Sequence, residues 1–146
     1  MSVFHRILVA YDGSHDGDAA LELAASLALD QNASLTLLTV VPDVATAVTS
    51  VEAGPYELES LFTEMLDAAK AKVPADVSVT TRLEHGPAAA RITKAAEGHD
   101  LVVMGTHGRG RIGEALLGSV SRDVVHALRA AVLLARAPEA SDDAGG

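Results

Sequence analysis

An α/β fold is predicted: a single five-stranded parallel sheet with helices on both faces. Three observations predict it. Five short apolar runs alternate along the chain with four stretches of helical periodicity, and a βαβα order means a parallel sheet with helices packed on it. The runs are almost wholly aliphatic or β-branched, and have strand length. The 146 residues suit one domain, with neither an internal repeat nor a second domain in view. Right-handed crossovers leave few topologies, and strand order 3-2-1-4-5 is the expectation.

The first run is Arg6 to Tyr11 (RILVAY). Ser14 then offers an N-cap hydroxyl, with Asp16 and Asp18 in the first helical turn, where carboxylates favour the helix dipole. On that helix Glu22, Ser26 and Asp30 form a polar stripe, and Ala20, Leu23, Ala24, Leu27 and Ala28 form the expected buried one. The second strand is Ser34 to Val41 (SLTLLTVV). A helix follows from Pro55 to Lys72, and Pro74 stops it. The third strand is read as Val77 to Leu83. Pro87, a favoured first helical position, follows Gly86 and opens a helix that ends near Gly98. The fourth strand is Asp100 to Gly105. The fourth helix opens at Gly118-Ser119 and carries Val120, Val124, Val125 and Leu128 at helical spacing, and Ala131 to Ala135 is the last strand. The folded domain is assigned to residues 1–137, and 138–146 to a small, acidic, flexible tail.

Composition narrows the function. With no cysteine, disulfides, thiolate catalysis and cysteine-ligated metal centres are excluded. Twenty acidic against eleven basic residues give a net charge of −9, which argues against nucleic acid or an anionic membrane as partner. The acid excess fits a salt-adapted protein and an ordinary acidic one equally. No apolar run approaches the roughly 20 residues that span a bilayer, and Met1 to Arg6 lacks the pattern of a signal peptide. A cytoplasmic location is the expectation.

In open sheets of this kind ligands bind at the carboxyl ends of strands, where the strand order reverses. The segment after strand four, residues 105–121, reads GTHGRGRIGEALLGSVS. It holds five of the twelve glycines (Gly105, Gly108, Gly110, Gly113, Gly118), two arginines (Arg109 and Arg111) and His107. Glycines let backbone N–H groups approach a ligand and form an anion-binding nest. The helix that begins at Gly118-Ser119 presents free N–H groups and a partial positive charge, and Ser119 and Ser121 add hydroxyls. Such a loop reads either as a phosphate cradle or as a surface turn with solvated arginines. A GxGxxG is present from Gly108 to Gly113, but it follows the fourth strand rather than the first, and residue 133 is Leu where an acid is needed. A Gly-Lys-Ser/Thr is absent. A phosphoacceptor receiver domain is rejected, because the third strand ends Glu84-His85-Gly86 and no lysine follows Lys94.

The spacing Gly105-x2-Gly108-x9-Gly118-Ser119 resembles the nucleotide-binding pattern of the ATP-binding branch of the universal stress protein family. ILVAYDGS (7–14), LLTVV (37–41), HGPAAARI (85–92), DLVVMGTHGRG (100–110) and VLLAR (132–136) are similar to further stretches of that family, so that the resemblance covers residues 4–137. It implies a nucleotide-binding, Rossmann-like fold and an adenine nucleotide, ATP with Mg²⁺, as ligand. Asp12, flanked by Ala10 and Tyr11, falls where the family meets ribose or adenine. A turn aspartate bonded to its own backbone is the other reading of Asp12. Val40 falls where backbone at the end of the second strand reads the adenine edge, and plain core is its alternative. Met104, Gly105, His107, Gly108 and Arg109 fall around ribose and phosphates. Gly118, Ser119, Val120 and Ser121 fall where the phosphates meet the helix.

The resemblance implies a stress-response regulator or switch, with slow ATP hydrolysis at most, since no nucleophile–base pair or clustered ligand set is seen. A nucleotide-independent interaction protein of the same fold and a weak ATPase are the alternatives. The last strand, apolar and at a sheet edge, invites a twofold dimer through Ala131–Ala135, as family members commonly form. The loop 42–54 is poor in charge and is given no chemistry.

Overall fold

Strands and helices alternate as β1 (Arg6–Ala10), α1 (His15–Gln31), β2 (Ser34–Val41), α2 (Pro55–Ala71), β3 (Val79–His85), α3 (Ala88–Ala95), β4 (Leu101–Gly105), α4 (Ser119–Ala127) and β5 (Ala131–Ala135). The structure is a computed structural model that describes residues 2–43, 54–107 and 117–138. All neighbouring strands pair in parallel, in the order β3-β2-β1-β4-β5. The strand order therefore reverses between β1 and β4, which places a crevice at their carboxyl ends.

Side chains alternate across the sheet with period two. Ile7, Val9, Leu35, Leu37, Leu101 and Val103 meet Ala20, Leu21 and Ala24 of α1 and Leu66 and Ala69 of α2. Leu8, Leu38, Val102 and Met104 meet Ile92 and Ala95 of α3 and Val124 of α4. Both faces are covered, so the central strands read as unbroken apolar runs.

Ser14 caps α1, its Oγ accepting from Gly17 N–H at 2.9 Å. The buried face of α1 is rotated from the expected stripe. Leu21 and Ala25 flank the line Ala20-Ala24-Ala28, while Leu23 is 36% exposed. Alanine on that line lets the helix axis approach β1 and β4 closely. On α4, Val124 is fully buried and its neighbour Val125 is 39% exposed.

β3 lies two residues later than its run, Val77 to Leu83, predicts. Val77 is buried in the turn before it, donating to the Pro74 carbonyl at 3.0 Å. The strand continues through Glu84 and His85 because the eight-residue β2 offers partners as far as Val41. α3 is shorter than expected: it ends at Ala95, and Gly98 (φ +83°) makes the turn into β4. β3 and β5 are the sheet edges. No described helix is long and apolar enough to cross a membrane. From residue 139 the expected tail lies outside the described residues.

Candidate functional site

At the crevice between β1 and β4 lies a cleft of about 100 Å³. Its walls are Ala10, Tyr11 and Asp12 after β1, Leu38 and Val40 of β2, Ala88 and Ile92 of α3, Met104, Gly105 and His107 at the end of β4, and Val120 and Ser121 of α4. Nine of the thirteen residues singled out from the sequence are among them: Ala10, Tyr11, Asp12, Val40, Met104, Gly105, His107, Val120 and Ser121. Gly118 and Ser119 stand at the start of α4 without lining the cleft. Gly108 and Arg109 lie outside the described residues. Leu38, Ala88 and Ile92 were read as core or helix. They lie within the family-like stretches LLTVV and HGPAAARI, which were given no binding role at these positions, and the packing of α3 over β2 brings them to the cleft.

The strands shape one wall. β2 runs three residues beyond its last pairing with β1, Ala10 with Leu38. Tyr11 N–H donates to the Leu38 carbonyl at 2.8 Å, while Gly86 N–H donates to the Val41 carbonyl at 3.0 Å. Even-numbered residues of β2 thus turn their backbone towards β1 and odd-numbered ones towards β3. The N–H and C=O of Val40 therefore face the β1 side at a height β1 no longer reaches.

Asp12 begins the turn into α1. Its Oδ1 accepts from Ser14 N–H at 3.0 Å and from Ser14 Oγ at 2.6 Å. This is the turn-aspartate arrangement, and the second carboxylate oxygen keeps acceptor capacity beside the cleft. Tyr11 Oη donates to Asp18 at 2.6 Å, and Thr39 Oγ1 donates to the Tyr11 carbonyl at 3.0 Å, fixing the chain as it leaves β1.

Two expected roles change in detail. The buried Ser121 turns its hydroxyl back to the Gly105 carbonyl, at 2.7 Å, instead of displaying it as a phosphate donor. Ser119 is the exposed hydroxyl of the pair. Gly118 has φ −71°, extended backbone that any residue adopts. Gly118, the N-cap, has no side chain with which to cap the helix, and a helix N-terminus carries N–H groups that an outside acceptor can take. Gly105 is needed for closeness: a Cβ there would lie 2.7 Å from Asp16 Cβ and 2.9 Å from its carbonyl carbon.

Asp16 is the residue that sequence reasoning passed over. It was placed in the first turn of α1 as a helix-favouring carboxylate, yet it is buried. Its Oδ2 accepts from Thr106 Oγ1 at 2.6 Å and from His107 N–H at 3.2 Å, and its Oδ1 accepts from Ala137 N–H at 2.8 Å. Burial raises its pKa, and the bonds from Ala137, Thr106 and His107 outweigh this, holding the carboxyl below its ordinary value. Thr106 has one hydroxyl proton, and Asp16 takes it. Its oxygen, 3.1 Å from His107 Nδ1, therefore accepts, which assigns the neutral imidazole as the Nδ1–H tautomer. A signal was available: Asp16 is four residues before Ala20 and continues the buried line Ala20-Ala24-Ala28.

A roomier groove, about 450 Å³, lies between α1 and the end of α2. Its floor is Leu21, Ala25 and Leu29, and its rim carries Asp18 and Glu22 against Lys72. Two carboxylates to one amine suit no anion, and none of the motif residues lines it. Chemistry favours the smaller cleft. Among the described residues no group of three or more His, Asp or Glu side chains is placed to hold a metal ion.

Comparison with known proteins agrees with this frame. Residues 4–136 match the model of the universal stress protein family. A relative from Staphylococcus haemolyticus, named for the same family, is 32% identical over 150 residues, covering 98% of this chain and 91% of its own. The universal stress protein UspA from Lactobacillus plantarum superposes with a TM-score of 0.69 at 26% identity, over 93% of this chain and all of that one. A universal stress protein solved in complex with cAMP superposes at 0.68, over 94% of this chain and all of that one. At 24% identity this last likeness is one of fold. The chain belongs to the universal stress protein family.

Proposed function

We propose that this protein is a cytoplasmic stress-response switch that binds ATP, with Mg²⁺, at the β1–β4 crevice. The observation that carries the reading is the overrun of β2. It turns one backbone donor and one acceptor of Val40 into an otherwise apolar slot, between Ala10, Leu38 and Ile92. An N–H and a C=O side by side on a strand edge match the ring nitrogen and exocyclic amino group of adenine. Asp12 at the mouth supplies acceptors for ribose hydroxyls. The cleft is smaller than the roughly 300–1,000 Å³ of sites that enclose a drug-sized ligand. It takes the base, and the phosphates extend to the uncapped N-terminus of α4 and its preceding loop, where Gly108, Arg109, Gly118 and Ser119 belong. Mg²⁺ arrives with the nucleotide and keeps most of its waters.

Calorimetric titration of the nucleotide-stripped protein with ATP, ADP, AMP, cyclic AMP and GTP, each with Mg²⁺, tests this. Adenine nucleotides are expected to bind, and GTP, whose ring edge reverses donor and acceptor, about tenfold or more weaker. Equal binding of ATP and GTP, or no binding of either, contradicts it.

A second part of the reading concerns β5. Among the described residues its backbone is paired on one side only, and its side chains are Ala, Val and Leu. We infer a homodimer formed by β5 against β5. If the cleft proves empty of function, a dimeric interaction protein is the account that this edge supports.

A further inference from the structure

Asp16 does not line the cleft, and neither does Ala137. Yet the Asp16 side chain bridges the end of β4 and the chain leaving β5. One carboxylate oxygen holds Thr106 and His107, and the other holds Ala137 N–H. A backbone bond, Thr106 N–H to the Ala135 carbonyl at 3.0 Å, runs alongside. Thr106 also accepts from Gly118 N–H at 2.8 Å through its carbonyl, so the same turn anchors the start of α4. The sub-van der Waals space at Gly105 shows how closely Asp16 is pressed to this turn. A carboxylate in so small a space needs all of its donors, because an unsatisfied buried charge is costly.

We propose that Asp16 is the positioning residue of the nucleotide site. Its carboxylate sets the Thr106–His107 turn and the start of α4 and ties both to the segment after β5, so that nucleotide binding and the placement of the C-terminal segment are coupled. The proposal rests on the nucleotide reading above for its ligand, and on the hydrogen bonds alone for the tie.

The test is a double-mutant cycle in ATP affinity on the full chain, using Asp16→Asn and Ala137→Pro. Asn replaces one acceptor by a donor facing donors. Pro removes only the N–H at the far end of the tie. Each single variant is expected to bind ATP about tenfold more weakly, the scale of one charge-assisted bond. The double variant is expected to bind no more weakly than the worse single one, because both cut the same connection. Losses that multiply, or an Ala137→Pro variant with wild-type affinity, overturn the proposal. Amide hydrogen exchange without nucleotide separates the tie from its ligand. The His107 amide is expected to exchange about tenfold faster in Ala137→Pro, and unchanged exchange overturns the tie even if Asp16→Asn unfolds. A chain that binds no ATP but keeps this exchange response contradicts the nucleotide reading while supporting the tie.

Discussion

Gly105 and Asp16 explain each other. The glycine admits the helix that carries the carboxylate, and the carboxylate satisfies the donors of the turn beyond the glycine. Gly105→Ala is expected to cost about 1–3 kcal/mol, since its Cβ would press against both side chain and backbone of Asp16. A denaturation midpoint measures this, and an unchanged midpoint would mean that α1 can back away freely. His99 and Asp16 contribute to the pH response. His99 has Nε2 2.9 Å from Thr36 Oγ1, and its buried Nδ1, by the Ala95 and Glu97 carbonyls, lacks a hydrogen bond of good geometry. Burial and the charge of Arg6 push its pKa below 6.5. A histidine kept neutral in the fold gives stability that is present above 6.5 and is lost as pH falls from there towards the folded pKa. Asp16 behaves likewise at lower pH: its stabilisation is present above 3.8 and is lost as pH falls through the depressed folded value. Melting temperatures are expected to fall as pH drops below about 6.5, less steeply in His99→Gln. The gap between wild type and Asp16→Asn is expected to narrow below about 3.8. Parallel curves would contradict both assignments. At this scale the sequence was read well where a residue has one environment available, as Ser14 at an N-cap. It was read poorly at Asp16, because a first-turn carboxylate is usually solvated and only the neighbour across the gap decides.

At the scale of elements, the strands were legible because burial on both faces leaves nothing polar to confuse the run. The two-residue displacement of β3 was not, since its register is fixed by the length of β2 rather than by its own residues. The face of α1 was misjudged at Leu23 for a related reason: leucine and alanine compete for the inward line, and close approach to the sheet selects alanine. The edge strand β5 makes a sharper case. Thr106 N–H bonds the Ala135 carbonyl, so odd-numbered residues of β5 face β4 and Val132 and Leu134 turn their N–H outward. Val132→Pro therefore removes an edge donor while sparing the ladder to β4. Light scattering is expected to show a dimer for the wild type and a monomer for this variant. A Val132→Pro dimer would place the interface elsewhere.

For the whole molecule, a chain of net charge −9 concentrates its glycines and two of its eleven cations after one strand, and the topology delivers that strand end to the crevice where the sheet reverses. Element order therefore narrowed the topology to few choices, and the glycine spacing pointed to the strand end that lines the cleft. The cleft's inner wall was not readable in this way: Leu38, Ala88 and Ile92 lie in family-like stretches, but which of their side chains reach the cleft is decided by the packing of α3 on the sheet. The central claim is that nucleotide enters this cleft rather than the larger groove between α1 and the end of α2. Backbone amide shifts in a ¹⁵N–¹H correlation spectrum, followed as ATP and Mg²⁺ are added, test it most directly. The account expects the largest changes at Val40, Asp12, Gly105 and Val120, with Glu22 and Leu29 unmoved. Shifts centred on Glu22, Ala25 and Leu29 with Val40 silent would contradict it.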